Sequence, residues 1–255
     1  MMRGKSPHRV WLIPARDSLA VLALCATLVL VVGCSHKPQT PVPPALPTDT
    51  ATAPALPAPT PSLGADEQFA ETHTPIYTES GVASWYGPPY HNRVGANGSV
   101  FNENGISAAH RTLPMGSLIR VTNVKTGQSA VMRVTDRGPF VAGRILDLSI
   151  GAAKAVGVWR SGTGEVRIDV FSTPKPIDQG GRWCVQIGAF LHQGSALRLQ
   201  SDLEDEYRTA NVIEFQGPTG YWVRIRPAND DRTLAIAIAH SLQPAEGQAW
   251  LVRLD

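Results

Sequence analysis

Few side chains in this 255-residue sequence stand where a reactive group would be useful. Asp136 opens the run Asp136-Arg137-Gly138-Pro139-Phe140, so its carboxyl ends an extended stretch at a Gly-Pro corner, the edge of a cleft. A single carboxyl of raised pKa can give a proton and take one back; the same residue can equally accept turn amides or pair with Arg137. His110 follows two alanines and precedes Arg111. Its imidazole titrates in a range suited to binding substrate or orienting an acid, and suits a hydrogen-bonded structural role as well. Asp147 stands just before a helix start, where its charge favours the dipole; contact with substrate is its second role. Trp85 and Tyr86 present an aromatic pair for stacking, one of them expected in the core. No His, Cys and carboxylate cluster has ligand spacing and no cofactor motif occurs, so neither metal nor cofactor is expected.

The elements that must hold these groups fall in residues 79–171. Gly81 to Gly87 is a short strand entering a Gly/Pro turn, and the β-rich runs 118–123 and 130–135 are joined by the hairpin turn Val124-Lys125-Thr126-Gly127. Residues 144–148 form a further strand. Ser149 then caps a short helix that Gly157 stops, and 165–171 closes the domain. Short strands, one small helix and glycine-rich corners predict a compact β-barrel.

Five motifs in order (Ala83-Ser84-Trp85-Tyr86-Gly87, 107–114, Val121-Thr122-Asn123, 136–140 and 144–149) resemble the rare lipoprotein A family. That resemblance implies a six-stranded double-psi β-barrel. It also implies an endolytic lytic transglycosylase that cuts peptidoglycan glycan strands, preferring strands stripped of stem peptides. The family pattern shifts Asp136 towards the acid/base role; His110 as its helper and Trp85, Tyr86 and Asp147 as glycan contacts stay readings of the residues themselves. One departure matters. The family reads Gly-Glu-x-Phe-Asp where this chain reads Gly98-Ser99-Val100-Phe101-Asn102. A serine hydroxyl is no acid near neutral pH, so if the Glu is required the domain binds glycan and cuts slowly or not at all. Glu103, four residues on, is the nearest carboxyl: a substitute for the Glu only if the loop rearranges, and otherwise a solvated loop residue.

Residues 172–180 are a short linker, and 181–255 read βαββαβ, a ferredoxin-like α+β module. Its first helix is expected to be capped by Ser195, with a stripe of Leu197, Leu199, Leu203 and Tyr207. Residues 185–190 and Trp222-Val223-Arg224-Ile225 resemble a SPOR domain. That resemblance implies a sheet face for denuded glycan at the division septum; Gln186, Trp222 and Arg224 suit it, since amide and guanidinium groups bond sugar hydroxyls and acetamides and the indole offers a stacking surface. Cys184, inside the first strand, is expected to be a buried thiol.

The N-terminus carries an address. Arg3, Lys5, Arg9 and Arg16 precede an apolar run from Leu19 to Val32, shorter than the roughly 20 residues of a membrane span. It ends in Val31-Val32-Gly33-Cys34, which resembles a bacterial lipobox. Residues 1–33 are thus a lipoprotein signal peptide and Cys34 the acylated residue. Ser35, not Asp, implies the periplasmic face of the outer membrane. Residues 34–78, dense in Pro, Ala and Thr, read as an extended linker. The expected partners are denuded glycan strands, the membrane through the lipid, and division-machinery proteins. A net charge of +2 gives no field for nucleic acid.

Overall fold

The computed structural model describes residues 64–214, 220–244 and 247–255. The leader, Cys34 and most of the Pro-rich segment lie outside the described residues. A short helix, α1 (Ala65–Thr72), precedes a closed six-stranded barrel of β1 (Tyr77–Trp85), β2 (Ser107–His110), β3 (Leu118–Asn123), β4 (Ser129–Asp136), β5 (Arg144–Leu148) and, after helix α2 (Ile150–Ala155), β6 (Thr163–Ser172). Strand order is β1-β5-β2-β4-β3-β6, with β6 returning to β1. The pairs β1/β5 and β2/β4 are parallel and the other pairs antiparallel, which gives the six-stranded double-psi barrel. Alternation fills it: Ile119, Val121, Val134, Leu146, Leu148 and Ile168 all point inward at 0% exposure. Ser149 caps α2 through a bond from the Ala152 amide (3.2 Å). Gly151 must be glycine, since a Cβ there would lie 2.4 Å from the Asn104 carbonyl; this close approach pins the loop after Phe101 against α2.

The linker expectation fails near its end. Residues Ala65–Thr72 are helical, with Phe69 and Ala70 packed against Leu118, Val131 and Phe171. Arg133 pairs with Asp66 at 2.6 Å and Arg120 with Glu71 at 2.7 Å. Eight residues are too few to sustain an isolated helix, and one Phe-Ala step leaves no repeat to read; docking on the outer face of β3 and β4 makes this helix.

The second folded part runs β7 (Trp183–Phe190), α3 (Gln193–Glu204), β8 (Asn211–Glu214), β9 (Tyr221–Ile225), α4 (Arg232–Ser241) and β10 (Gln248–Arg253). Its sheet is antiparallel in the order β10-β7-β9-β8, the expected ferredoxin-like α+β module. Both helices pack on one face, where Val185, Ile187, Val223 and Ile225 meet Ala196, Leu203, Ala235 and Ile238. Helix α3 departs from its expected stripe. Its cap position is His192, Ser195 lies within the first turn, and Leu197 is 49% exposed while Ala196 is buried. The small Ala196 lets the helix approach the sheet, and that rotation turns Leu197 outward. Both folded parts belong to one compact unit.

Candidate active site

Strand register assembles the site. Ser84 on β1 lies opposite Asp147 on β5, Asp147 opposite Ala109 on β2, and Ala109 opposite Asp136 on β4. The row Ser84–Asp147–Ala109–Asp136 thus crosses four neighbouring strands. The two acids are two strand spacings apart, roughly 10 Å between backbones, with only a methyl between them. A bulge makes this possible. Between Ala108 and Ala109 the β4 partner jumps from Val134 to Asp136. Strict alternation after inward Met132 and Val134 would send Asp136 into the barrel; the extra residue, Thr135, turns it onto the outer face. A second jump, from Arg144 to Leu146 on β5, precedes Asp147.

Asp136 is half-buried. Burial raises its pKa, against the pull of two amide donors, Ala96 (3.0 Å) and Arg137 (2.8 Å), and of the Arg137 charge. Both amides bond Oδ1, so Oδ2 is the oxygen placed to carry a proton. The Arg137 guanidinium turns away, donating to the His110 and Leu113 carbonyls and to the Asp255 carbonyl (2.8 Å). Asp147 is also raised by burial; the Ser84 hydroxyl (2.7 Å), then Arg144 (3.4 Å) and the Arg111 charge, oppose this. Tyr86 is packed between Tyr90 and Phe101. Burial first, then the charges of Asp136 and Asp147, raise its pKa. Its hydroxyl is buried and outside strict hydrogen-bond geometry to Asp136, so the pair are electrostatic neighbours and not a formed bond. Trp85 packs against Trp159 with ring centroids 4.1 Å apart and planes tilted by 42°, and on the barrel core, and it also lines the cleft.

His110 lies behind this wall at 3% exposure. Its Nδ1 accepts the amides of Thr112 (3.2 Å) and Leu113 (3.0 Å), so Nε2 carries the proton and donates to Glu79 (3.2 Å). Burial lowers the pKa of His110, and its hydrogen bond lowers that of Glu79. The contact is a neutral imidazole on a carboxylate, and it anchors β2 to β1. Ser99 is exposed on a hollow of about 200 Å³ that Asn97, Asn102 and Asp136 also line. Glu103 lines neither this hollow nor the main cleft; its Oε2 is buried against Gly87.

The main cleft, about 750 Å³, has two walls. One is the acid row with Tyr86, Arg144 and Phe140. The other is the sheet face that α3 and α4 leave uncovered, where Gln186, Trp222 and Arg224 lie together. Arg224 donates to Gln186 Oε1 at 2.8 Å. Trp222 is 5% exposed because Phe140 covers it, their rings 4.8 Å apart. Cys184 is buried on the same face, and that burial pushes its thiol up to about 11, so it stays protonated. Sequence reasoning missed Ser84, Arg111, Arg144 and Phe140. Arg111 donates to the Pro139 and Arg144 carbonyls and so holds the loop over the cleft. The only available signal was that all four lie inside the quoted motifs. Among the described residues no three His, Cys, Asp or Glu side chains converge as a metal site requires.

Residues 78–168 match the lytic transglycolase family and residues 179–253 the SPOR domain family. The chain is similar to a probable endolytic peptidoglycan transglycosylase RlpA of Synechocystis, 55% identical over 92 residues, covering 36% of this chain and 29% of that protein. It is 50% identical over 100 residues to the endolytic peptidoglycan transglycosylase RlpA of Vibrio cholerae, with 39% and 38% covered. The Campylobacter jejuni protein of that name is 37% identical over 156 residues, with 52% and 56% covered. The chain thus spans 29 to 56% of the length of these relatives.

Proposed function

We propose that a chain built from a lytic transglycolase barrel and a SPOR domain is an endolytic lytic transglycosylase of the bacterial cell envelope, cutting peptidoglycan glycan strands. The observation that carries this reading is the acid row: two half-buried carboxyls of raised pKa facing one cleft. Asp136 Oδ2 donates its proton to the glycosidic oxygen as the C1–O bond breaks, the electron pair leaving with that oxygen. The carboxylate so formed takes the proton of the muramyl C6 hydroxyl, whose oxygen closes on C1 as a 1,6-anhydro ring. The acid is regenerated and no water is consumed. The oxocarbenium-like transition state is that of glycosidases, and one carboxyl of raised pKa can serve both steps. Asp147, Tyr86 and the edge of Trp85 hold the sugar, and His110 fixes the strand beneath. The Pro-rich segment tethers the domains to a lipid at Cys34 in the outer membrane. In this reading Gln186, Trp222 and Arg224 favour peptide-free strands, and the proposed location is the division septum, where such strands gather, with division-machinery proteins as the proposed partners.

Ser99 favours a second reading, a glycan-binding lipoprotein with little turnover. No carboxylate stands across the small hollow from Asp136. Digestion of amidase-treated sacculi separates the two. Anhydro-ended products from the wild type, absent with Asp136→Asn, establish the enzyme; wall binding with no such products establishes the binder.

A further inference from the structure

We infer that the glycan site is a single cleft with one wall from each folded part, so that Gln186, Trp222 and Arg224 are subsite residues of the barrel's cleft and not a separate wall-binding surface. This rests on the glycan reading above and adds to it where the strand lies.

The covering of Trp222 is the first support. Among the described residues no helix lies over that face, yet the indole is almost wholly enclosed, by Phe140 from the loop that follows Asp136. A flat strand cannot reach a face so covered except through the cleft. The seam is built of directional bonds as well as packing. Arg253 donates its amide to the Arg111 carbonyl (3.0 Å), Met115 its amide to the Asp255 carbonyl (3.2 Å), and Arg137 its guanidinium to the same Asp255 carbonyl (2.8 Å). The Arg111 guanidinium lies 4.9 Å over the Trp250 ring. The residue beside the acid is therefore bonded across to the sheet domain, which fixes the distance between the walls.

Polar chemistry supplies the second support. Arg144 Nε on one wall and Arg224 Nε on the other are buried without a partner in the protein. A buried donor left unpaired is costly and asks for an acceptor. Sugar hydroxyl and acetamide oxygens are such acceptors, and the cleft lies within the size range of small-ligand sites, roughly 300–1,000 Å³. A sugar lying between the walls meets the Asp136 and Asp147 carboxyls on one side and the Gln186–Arg224 pair on the other.

Calorimetry on the full chain in detergent tests this. Asp136→Asn is included to stop turnover, and the probe is a peptide-free tetrasaccharide of alternating N-acetylglucosamine and N-acetylmuramic acid. The expected result is one site per chain, weakened about tenfold by Asp147→Asn on one wall and about tenfold by Arg224→Gln on the other. Arg224→Lys, which keeps the charge and loses the fork, guards against misfolding and should also weaken binding. Two sites per chain, each lost to one wall's variant, would overturn the two-walled cleft and leave the glycan reading standing. So would one site indifferent to Arg224, or tighter binding once Phe140→Ala uncovers the sheet. No binding at all would overturn both.

Discussion

The barrel and the sheet domain set out their polar faces by different means. In the sheet, plain alternation suffices: Val185, Ile187, Val223 and Ile225 go to the helices, and Gln186, Trp222 and Arg224 go to the face away from the helices. In the barrel, alternation alone would hide the acid, and a one-residue bulge at Thr135 brings it out. The sheet face is rich in amide, indole and guanidinium groups, which bind. The barrel face carries two carboxyls pushed towards protonation, which can also react. A regular lattice can display a binding surface, whereas placing an acid beside the core takes an irregularity held by tertiary contacts.

If the barrel cuts while the sheet holds, Asp136→Asn should lower release of anhydro-ended products by about 100- to 10,000-fold while affinity for amidase-treated sacculi is kept; equal loss of both would erase the division of labour. Ser99→Glu comes next. A carboxylate there faces Asp136 across the small hollow and raises its pKa further, so turnover should rise about tenfold or more. An unchanged rate would show that the acid row acts without that partner. Smaller is the cost of undocking α1. Phe69→Ala should destabilise the barrel by about 1–2 kcal/mol, read as a lower urea midpoint, with the glycan affinity of the folded chain unmoved.

The smallest effect is on pH-dependent stability. The raised pKa of Asp136 means the folded state holds its proton to higher pH than the unfolded chain. Stability therefore falls as pH rises from the ordinary carboxylate pKa through the raised one. Asp136→Asn keeps an acceptor for the Ala96 and Arg137 amides. It should raise the melting temperature at neutral pH, and the gain should vanish below the ordinary carboxylate range. A gain that persists in acid would mean that Asp136 is strained and not desolvated.

By itself the sequence determined the order of elements. Runs such as 118–123, 144–148 and 183–190 carry their own β-branched and apolar pattern, and Ser149 and Gly157 mark a helix by local hydrogen bonding and backbone freedom. It also marked Asp136, Asp147, Gln186, Trp222 and Arg224, because each sits in a motif. Tertiary structure alone decided what those residues face. Register is a relation between strands distant in the chain, so the row from Ser84 to Asp136 and the bulge that exposes its acid have no local signature. The burial that holds both nitrogens of His110, the docking that folds α1, and the covering of Trp222 by Phe140 are likewise long-range. Short-range propensity is written in neighbouring residues; desolvation and side-chain direction are set by whatever packs on them from elsewhere.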